Sequence, residues 1–419
     1  MRRTLVTMRA RPAVWWGLAP LTIVALTACT PELTLRTAEP PAVSRASIVA
    51  EPPGGAPVAP STPVVVRAVD GLLSSVVVEG PDGPLPGSVG PDGMTWTSQA
   101  EGLGYGARYA VRATAVDARG VSTTARSEFT TIEPSRFVHA EVVSPATGST
   151  VGVGTPIVVR FDRGIKRRAE VERALVVRTP VPVLGAWAWR DDSTVEFRPK
   201  EYWPGNMPVT VDLDLEGVQT GRETFGEGTS QHTFALGPSM VTRVNAETHT
   251  ADVYRDGERI RTIPITTGKA GFETRSGVKV ITTKERTRVM DAATGGTDRT
   301  DPEYYRLQVE YAMRITDSGE FLHAAPWSVY AQGRQNVSHG CVGMSTANAQ
   351  WLFDQTSLGD VVEVVGTDRP QDLGNGITVW TESWEDWLAR SSAGPVITTA
   401  EAPAPADTAG ADPVAFVAR

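Results

Sequence analysis

Between residues 64 and 236 apolar and polar side chains alternate in short runs, the period-two signature of half-buried strands. Runs at 64–69, 75–79 and 109–116 are separated by the turn triplets Pro81-Asp82-Gly83 and Pro91-Asp92-Gly93, and none has helical spacing. A second set lies at 157–161, 186–189, 194–198, 208–213 and 232–236. Its last run, His232-Thr233-Phe234-Ala235-Leu236, echoes Glu128-Phe129-Thr130-Thr131-Ile132, with Phe129 and Phe234 105 positions apart. Linkers near 133–135 and 237–239 divide the two sets. The pattern predicts tandem immunoglobulin-like β-sandwiches at 63–134 and 135–239, without the inter-sheet disulfide; one domain of fifteen strands is the alternative, which the linkers disfavour.

The character shifts at Met240. Strands are predicted at 241–245, 251–254, 259–266, 277–283 and 360–365, with one amphipathic helix at 346–355. Ser345 supplies its N-cap, and Ala349, Leu352 and Phe353 its buried stripe. A third, β-rich domain is therefore expected at 240–366. In the C-terminal piece 367–392, Trp380, Trp384 and Trp387 are spaced by four and three, which predicts one helical face packed against the preceding domain. The Ala- and Pro-rich end, 393–419, is expected to be disordered. The whole reads as a mainly β chain.

The first residues decide the compartment. Arg2, Arg3, Arg9 and Arg11 precede a mostly apolar run at 14–28, too short for a comfortable membrane span, and the run ends at Leu26-Thr27-Ala28-Cys29. That ending resembles a bacterial lipobox, so 1–28 is expected to be a signal peptide and Cys29 a lipid-bearing first residue. An uncleaved anchor is the alternative, and both readings place the bulk outside the cytoplasm. Pro31, Pro40, Pro41, Pro52, Pro53, Pro57 and Pro60 mark 29–62 as an extended stalk.

Charge and cysteine content narrow the classes. The chain of 419 residues carries -8, and -12 after loss of 1–28; only five of its 40 basic residues are Lys. The acidic balance argues against a general nucleic-acid binder, since displacing counterions from phosphate needs a basic surplus. With Cys29 and Cys341 as the sole cysteines, a disulfide scaffold and a thiolate zinc site are excluded.

Cys341 lies in Asn336-Val337-Ser338-His339-Gly340-Cys341-Val342-Gly343-Met344-Ser345. Flanking Ser, His and Gly suit a turn that presents sulfur to solvent better than they suit a core strand. A thiol of pKa ~8.5 is only a few per cent ionised at neutral pH, so it needs a base. His339 is two residues away, and His323 ends a predicted strand in Phe321-Leu322-His323-Ala324-Ala325-Pro326-Trp327.

His323, a spacer of fourteen residues and Ser338-His339-Gly340-Cys341 resemble the signature of the L,D-transpeptidase (YkuD-like) catalytic domain. The two sandwiches, lipobox and Trp-bearing end also resemble its membrane-anchored actinobacterial members. The resemblance implies Cys341 as nucleophile, His323 as base and then acid, and the Ala324 carbonyl as the group orienting that imidazole. It implies an oxyanion hole from the N–H groups of His339, Gly340 and Cys341, and substrate contacts from Met290, Tyr305, Trp327, Ser338 and Gly343. The Gly- and Thr-rich 291–301 would be a mobile flap. The motif usually has Asn where this chain has Gly343, which puts substrate placement in question.

The expected reaction joins donor and acceptor peptidoglycan tetrapeptide stems by 3-3 cross-links through a Cys341 thioester, without metal or organic cofactor. Hydrolysis of the thioester would give an L,D-carboxypeptidase instead. Carbapenem β-lactams are expected to acylate Cys341, and the lipid would hold the protein on the membrane facing the wall. Two other readings are a stem-peptide cysteine peptidase, disfavoured because His323 precedes Cys341, and a non-catalytic wall-binding spacer lipoprotein.

Overall fold

The computed structural model describes residues 42–99 and 102–400. Cys29 and the signal segment lie outside the described residues, as does 401–419. The described chain is mainly β, as its alternation requires.

The first sandwich stacks two four-stranded sheets. Alternation places its core: along Arg108–Val116 every second side chain is buried, and Tyr109, Val111 and Ala113 meet Val66, Val78, Trp96 and Phe129. One boundary needs correcting. Ser47–Glu51, inside the expected stalk, is an antiparallel partner of Val65–Val69, and Val58 bridges Thr131. Proline density hid this strand, whose short apolar run Ile48-Val49-Ala50 has no period-two alternation and gains a partner only in the sheet.

The second sandwich packs two five-stranded sheets around Trp187, Trp189, Phe197 and Trp203. Its strand Leu184–Trp189 is buried on both faces. Trp187 and Trp189 enter the core, while Ala186 and Ala188 face outward beneath Trp387 and Val379. The tryptophan stripe thus covers this sandwich and not the domain that precedes it in sequence. Its helix is only Trp384–Ala389, and Trp380 lies before it. Trp387 Nε1 donates to the Ala186 carbonyl at 3.0 Å, Trp380 Nε1 to that of Gly154 at 2.8 Å, and the Arg198 guanidinium lies 5.0–5.3 Å from three indole centres. The expected disorder from 393 is also corrected in part: Val396–Ile397 pairs with Leu184–Gly185, and Thr399–Ala400 with Arg178–Thr179.

From Met240 a nine-stranded mixed sheet begins. At its heart Glu258–Thr266 pairs with Val342–Met344, which runs parallel to Phe321–Ala324, and then follow Arg306–Arg314 and Thr283–Asp291. Thr346–Gln355 is the one helix here, and Ser345 Oγ accepts from Asn348 N–H as the N-cap. The register decides the site: Leu322 pairs with Val342 and His323 with Gly343, so Cys341 enters the sheet opposite Phe321, one place from the histidine strand.

Candidate active site

Cys341 and His323 line one cavity of about 220 Å³, together with Met290, Tyr305, Trp327 and His339. Side chains two apart on a strand share a face, so the parallel register turns residues 341 and 323 to the same side. A separation of eighteen positions in sequence becomes adjacency in the sheet.

His323 is 5% exposed, and its Nδ1–H donates to the Ala324 carbonyl at 2.8 Å. A carbonyl only accepts, so the proton sits on Nδ1 and Nε2 keeps its lone pair. Burial disfavours the imidazolium and pulls this histidine below its ordinary value. The Trp327 ring lies 6.0 Å away, near-parallel and half exposed at the cavity mouth.

The Cys341 sulfur packs among Met290, Val309, Ala312 and Phe321. Burial pushes the thiol up to about 12, opposed by the Phe321 N–H and reinforced by Glu320. In this state the thiol donates to the Gly319 carbonyl at 3.7 Å. Neutral thiol and neutral imidazole are therefore the resting pair, the reverse of a preformed thiolate–imidazolium.

The turn before the sulfur is tied internally. Ser338 Oγ donates to the Cys341 carbonyl at 2.6 Å and accepts from Gly340 N–H at 3.1 Å, while Thr274 Oγ1 donates to the Gly340 carbonyl at 2.7 Å. Gly340 sits at φ +121°, where a side chain would be strained. That kink breaks the chain between His339 and Cys341, so the two side chains are not held on one strand face. Of the three N–H groups expected as oxyanion donors, one is already hydrogen-bonded in the resting turn. Gly340 N–H is engaged by Ser338, and the N–H groups of His339 and Cys341 are the two without a partner among the described residues.

The profile described as L,D-transpeptidase catalytic domain (YkuD) matches residues 240–364, and that of a bacterial Ig domain matches 55–219. L,D-transpeptidase 2 of Mycobacterium tuberculosis (strain CDC 1551 / Oshkosh) is 36% identical over 338 residues, 80% of this chain and 82% of that protein. The chain belongs to the L,D-transpeptidase family. L,D-transpeptidase 5 of M. tuberculosis H37Rv is 32% identical, covering 87% of this chain and 78% of its own. Among solved structures, the LD transpeptidase LdtMt1 in complex with imipenem is 38% identical over 54% of this chain and 99% of its own, with a TM-score of 0.47.

In this L,D-transpeptidase family member Gly343 is buried, and a Cβ there would lie 2.9 Å from Ala325 Cβ and 3.1 Å from Thr266 Cγ2. Those methyls close the space that asparagine would need. Gly343→Asn is accordingly expected to destabilise the catalytic domain by about 1–3 kcal/mol, read as a lower midpoint in thermal or urea unfolding; an unchanged midpoint would show that the methyls yield.

The segment expected as a flap folds as a 3₁₀ turn, Ala292–Gly295, capped by Asp291, whose carboxylate accepts from Ala293 N–H at 2.9 Å. Beyond it Tyr305 half-covers the sulfur cluster. Sequence reasoning missed Glu303, Lys269 and Glu320. Glu320 Oε1 accepts from the Arg275 N–H and guanidinium at 3.0 and 3.1 Å, directly behind the Gly340 turn. Isolated charges in loops carry no sequence signal for these contacts.

Proposed function

We propose that the protein forms 3-3 cross-links between peptidoglycan stem peptides by acyl transfer through Cys341. The observation that supports this most is the shared cavity in which a buried thiol and a histidine with a free Nε2 open beside two unpaired N–H groups. The thiol leaves Gly319 and gives its proton to His323 Nε2 as sulfur attacks the carbonyl of the L-centre of the penultimate stem residue. The oxyanion is held by the His339 and Cys341 N–H groups, a contribution of roughly 3 kcal/mol per donor. Collapse breaks the C–N bond, and the imidazolium returns its proton to the departing D-Ala amine. A thioester remains. The side-chain amine of a second stem attacks it, loses a proton to Nε2, and sulfur leaves to be reprotonated, so the enzyme is restored.

Water in place of that amine would give a carboxypeptidase product. Incubating the protein with a disaccharide-tetrapeptide and weighing the products tests the reading: a dimer lacking one D-Ala is expected, a tripeptide alone would make the enzyme hydrolytic, and unaltered tetrapeptide would refute acyl transfer. The same thiol is expected to open a carbapenem β-lactam ring, because that strained amide offers the equivalent carbonyl.

The site works where stems are, outside the cytoplasm, and the two sandwiches act as spacers from a lipid on Cys29. Cys29→Ser is expected to move the protein from the membrane to the soluble fraction; continued sedimentation with membranes would remove the lipid anchor from this account.

A further inference from the structure

A carboxylate already lies beside the cavity, and it belongs to the protein. Glu303 Oε2 accepts from Lys269 Nζ at 2.6 Å and from His339 Nε2 at 2.6 Å. The bonds from Lys269 and then His339 hold this carboxyl below the usual range, so it is ionised and the ring nitrogen is the donor. Three pieces of chain meet at that oxygen. Lys269 follows the strand Glu258–Thr266, and its N–H donates to the Ser338 carbonyl at 2.9 Å. His339 belongs to the nucleophile turn and lines the cavity. Glu303 rides on the segment between Thr283–Asp291 and Arg306–Arg314, next to Tyr305. Phe272 positions both donors independently of Glu303: the His339 ring lies 4.8 Å from the Phe272 ring and Lys269 Nζ 5.3 Å from it.

We infer that Lys269 and His339 form a subsite for a free carboxylate of the stem peptide, and that Glu303 fills it in the resting protein as a built-in competitor. This rests on the stem-peptide reading above, since such peptides carry free carboxylates at the terminal D-residue and on the diaminopimelate-type side chain. The side chains of Lys269, Glu303 and His339 are 34%, 39% and 26% exposed, so the contact is in reach of solvent and weakly held. Exchanging one carboxylate for another leaves both donors satisfied, so displacement loses no hydrogen bond. Entry of substrate would thereby release the segment bearing Glu303 and Tyr305, coupling loading to opening. An intramolecular competitor acts at high effective concentration and weakens apparent affinity accordingly.

The test uses the full chain with ¹⁵N-labelled imidazoles, following the His339 signals during titration with N-acetyl-D-alanine, with N-acetyl-D-alaninamide and with diaminopimelate. Glu303→Gln is expected to bind a carboxylate probe about tenfold more tightly than the unaltered protein. Adding Lys269→Met is expected to abolish that gain, and the neutral amide to give no saturable response. A response to N-acetyl-D-alanine assigns the terminal carboxylate, and one to diaminopimelate alone assigns the side-chain carboxylate. Equal affinities with and without Glu303, or no saturable binding of either acid, would overturn the inference. Turnover is not read, so a protein that binds the acid yet joins no stems would sink the enzymatic reading and leave the subsite standing.

Discussion

Cys341→Ala is expected to abolish both stem-peptide ligation and covalent β-lactam capture while the protein stays folded. Cys341 is 7% exposed and belongs to a buried cluster with Met290, Val309, Ala312 and Phe321, so loss of its sulfur leaves a small apolar gap in a domain whose larger core lies elsewhere. Stability should fall by about 1 kcal/mol. Catalysis should fall by a factor on the order of 10⁴ or more, because positioned donors without a nucleophile form no thioester. Intact-protein mass after exposure to a carbapenem gives the direct reading. The unaltered protein should gain one inhibitor mass and the alanine variant none; an adduct persisting on the variant would place the nucleophile on another residue.

The second large effect is expected at His323. His323→Gln keeps polar volume and can still donate to the Ala324 carbonyl, yet it has no lone pair able to take a proton from sulfur. Loss of a positioned general base costs about 10²–10⁴-fold. The pH dependence separates this role from simple packing. Burial raises the thiol to about 12 and lowers the histidine below its ordinary 6.5. With His323 in place, its neutral form persists to pH values below 6.5, so alkylation of Cys341 by iodoacetamide should hold a plateau through neutrality and fall only in the acid range. Without it, sulfur must ionise unaided, and the rate should climb with pH toward about 12 and be nearly lost at neutrality. Superimposable pH profiles for the two proteins would remove His323 from the reaction.

Several features of this molecule were present in its linear pattern, each for a local reason. Alternation in runs such as 109–116 specifies a strand with one buried face, because a one-residue slip would expose Val111 and Ala113. Ser345 before 346–355 specifies a helix start, since its hydroxyl satisfies a backbone donor within three residues. The His323 and Ser338-His339-Gly340-Cys341 spacing carried the family resemblance, and with it the cleft. Contacts that depend on distant chain were not legible. The strand Ser47–Glu51 looked like stalk until Val65–Val69 paired with it, and Val396–Ile397 looked like tail until Leu184–Gly185 did. Trp387 showed an apolar stripe but not its target, because Ala186 and Ala188 become an outer face only once the second sandwich has closed.

At the site the division is the same. Residue chemistry alone named the thiol and offered two imidazoles, His323 and His339; the family resemblance chose between them. Tertiary structure decided their protonation, since desolvation depends on the walls around them, and it decided which N–H groups stay free once Ser338 has engaged Gly340. It also closed the place of the usual asparagine with Ala325 and Thr266 and set Glu303 between Lys269 and His339. Periodicity and capping act over a few residues and can be read along the chain; burial, register and ion pairing join residues tens to hundreds of positions apart and exist only after the chain has folded.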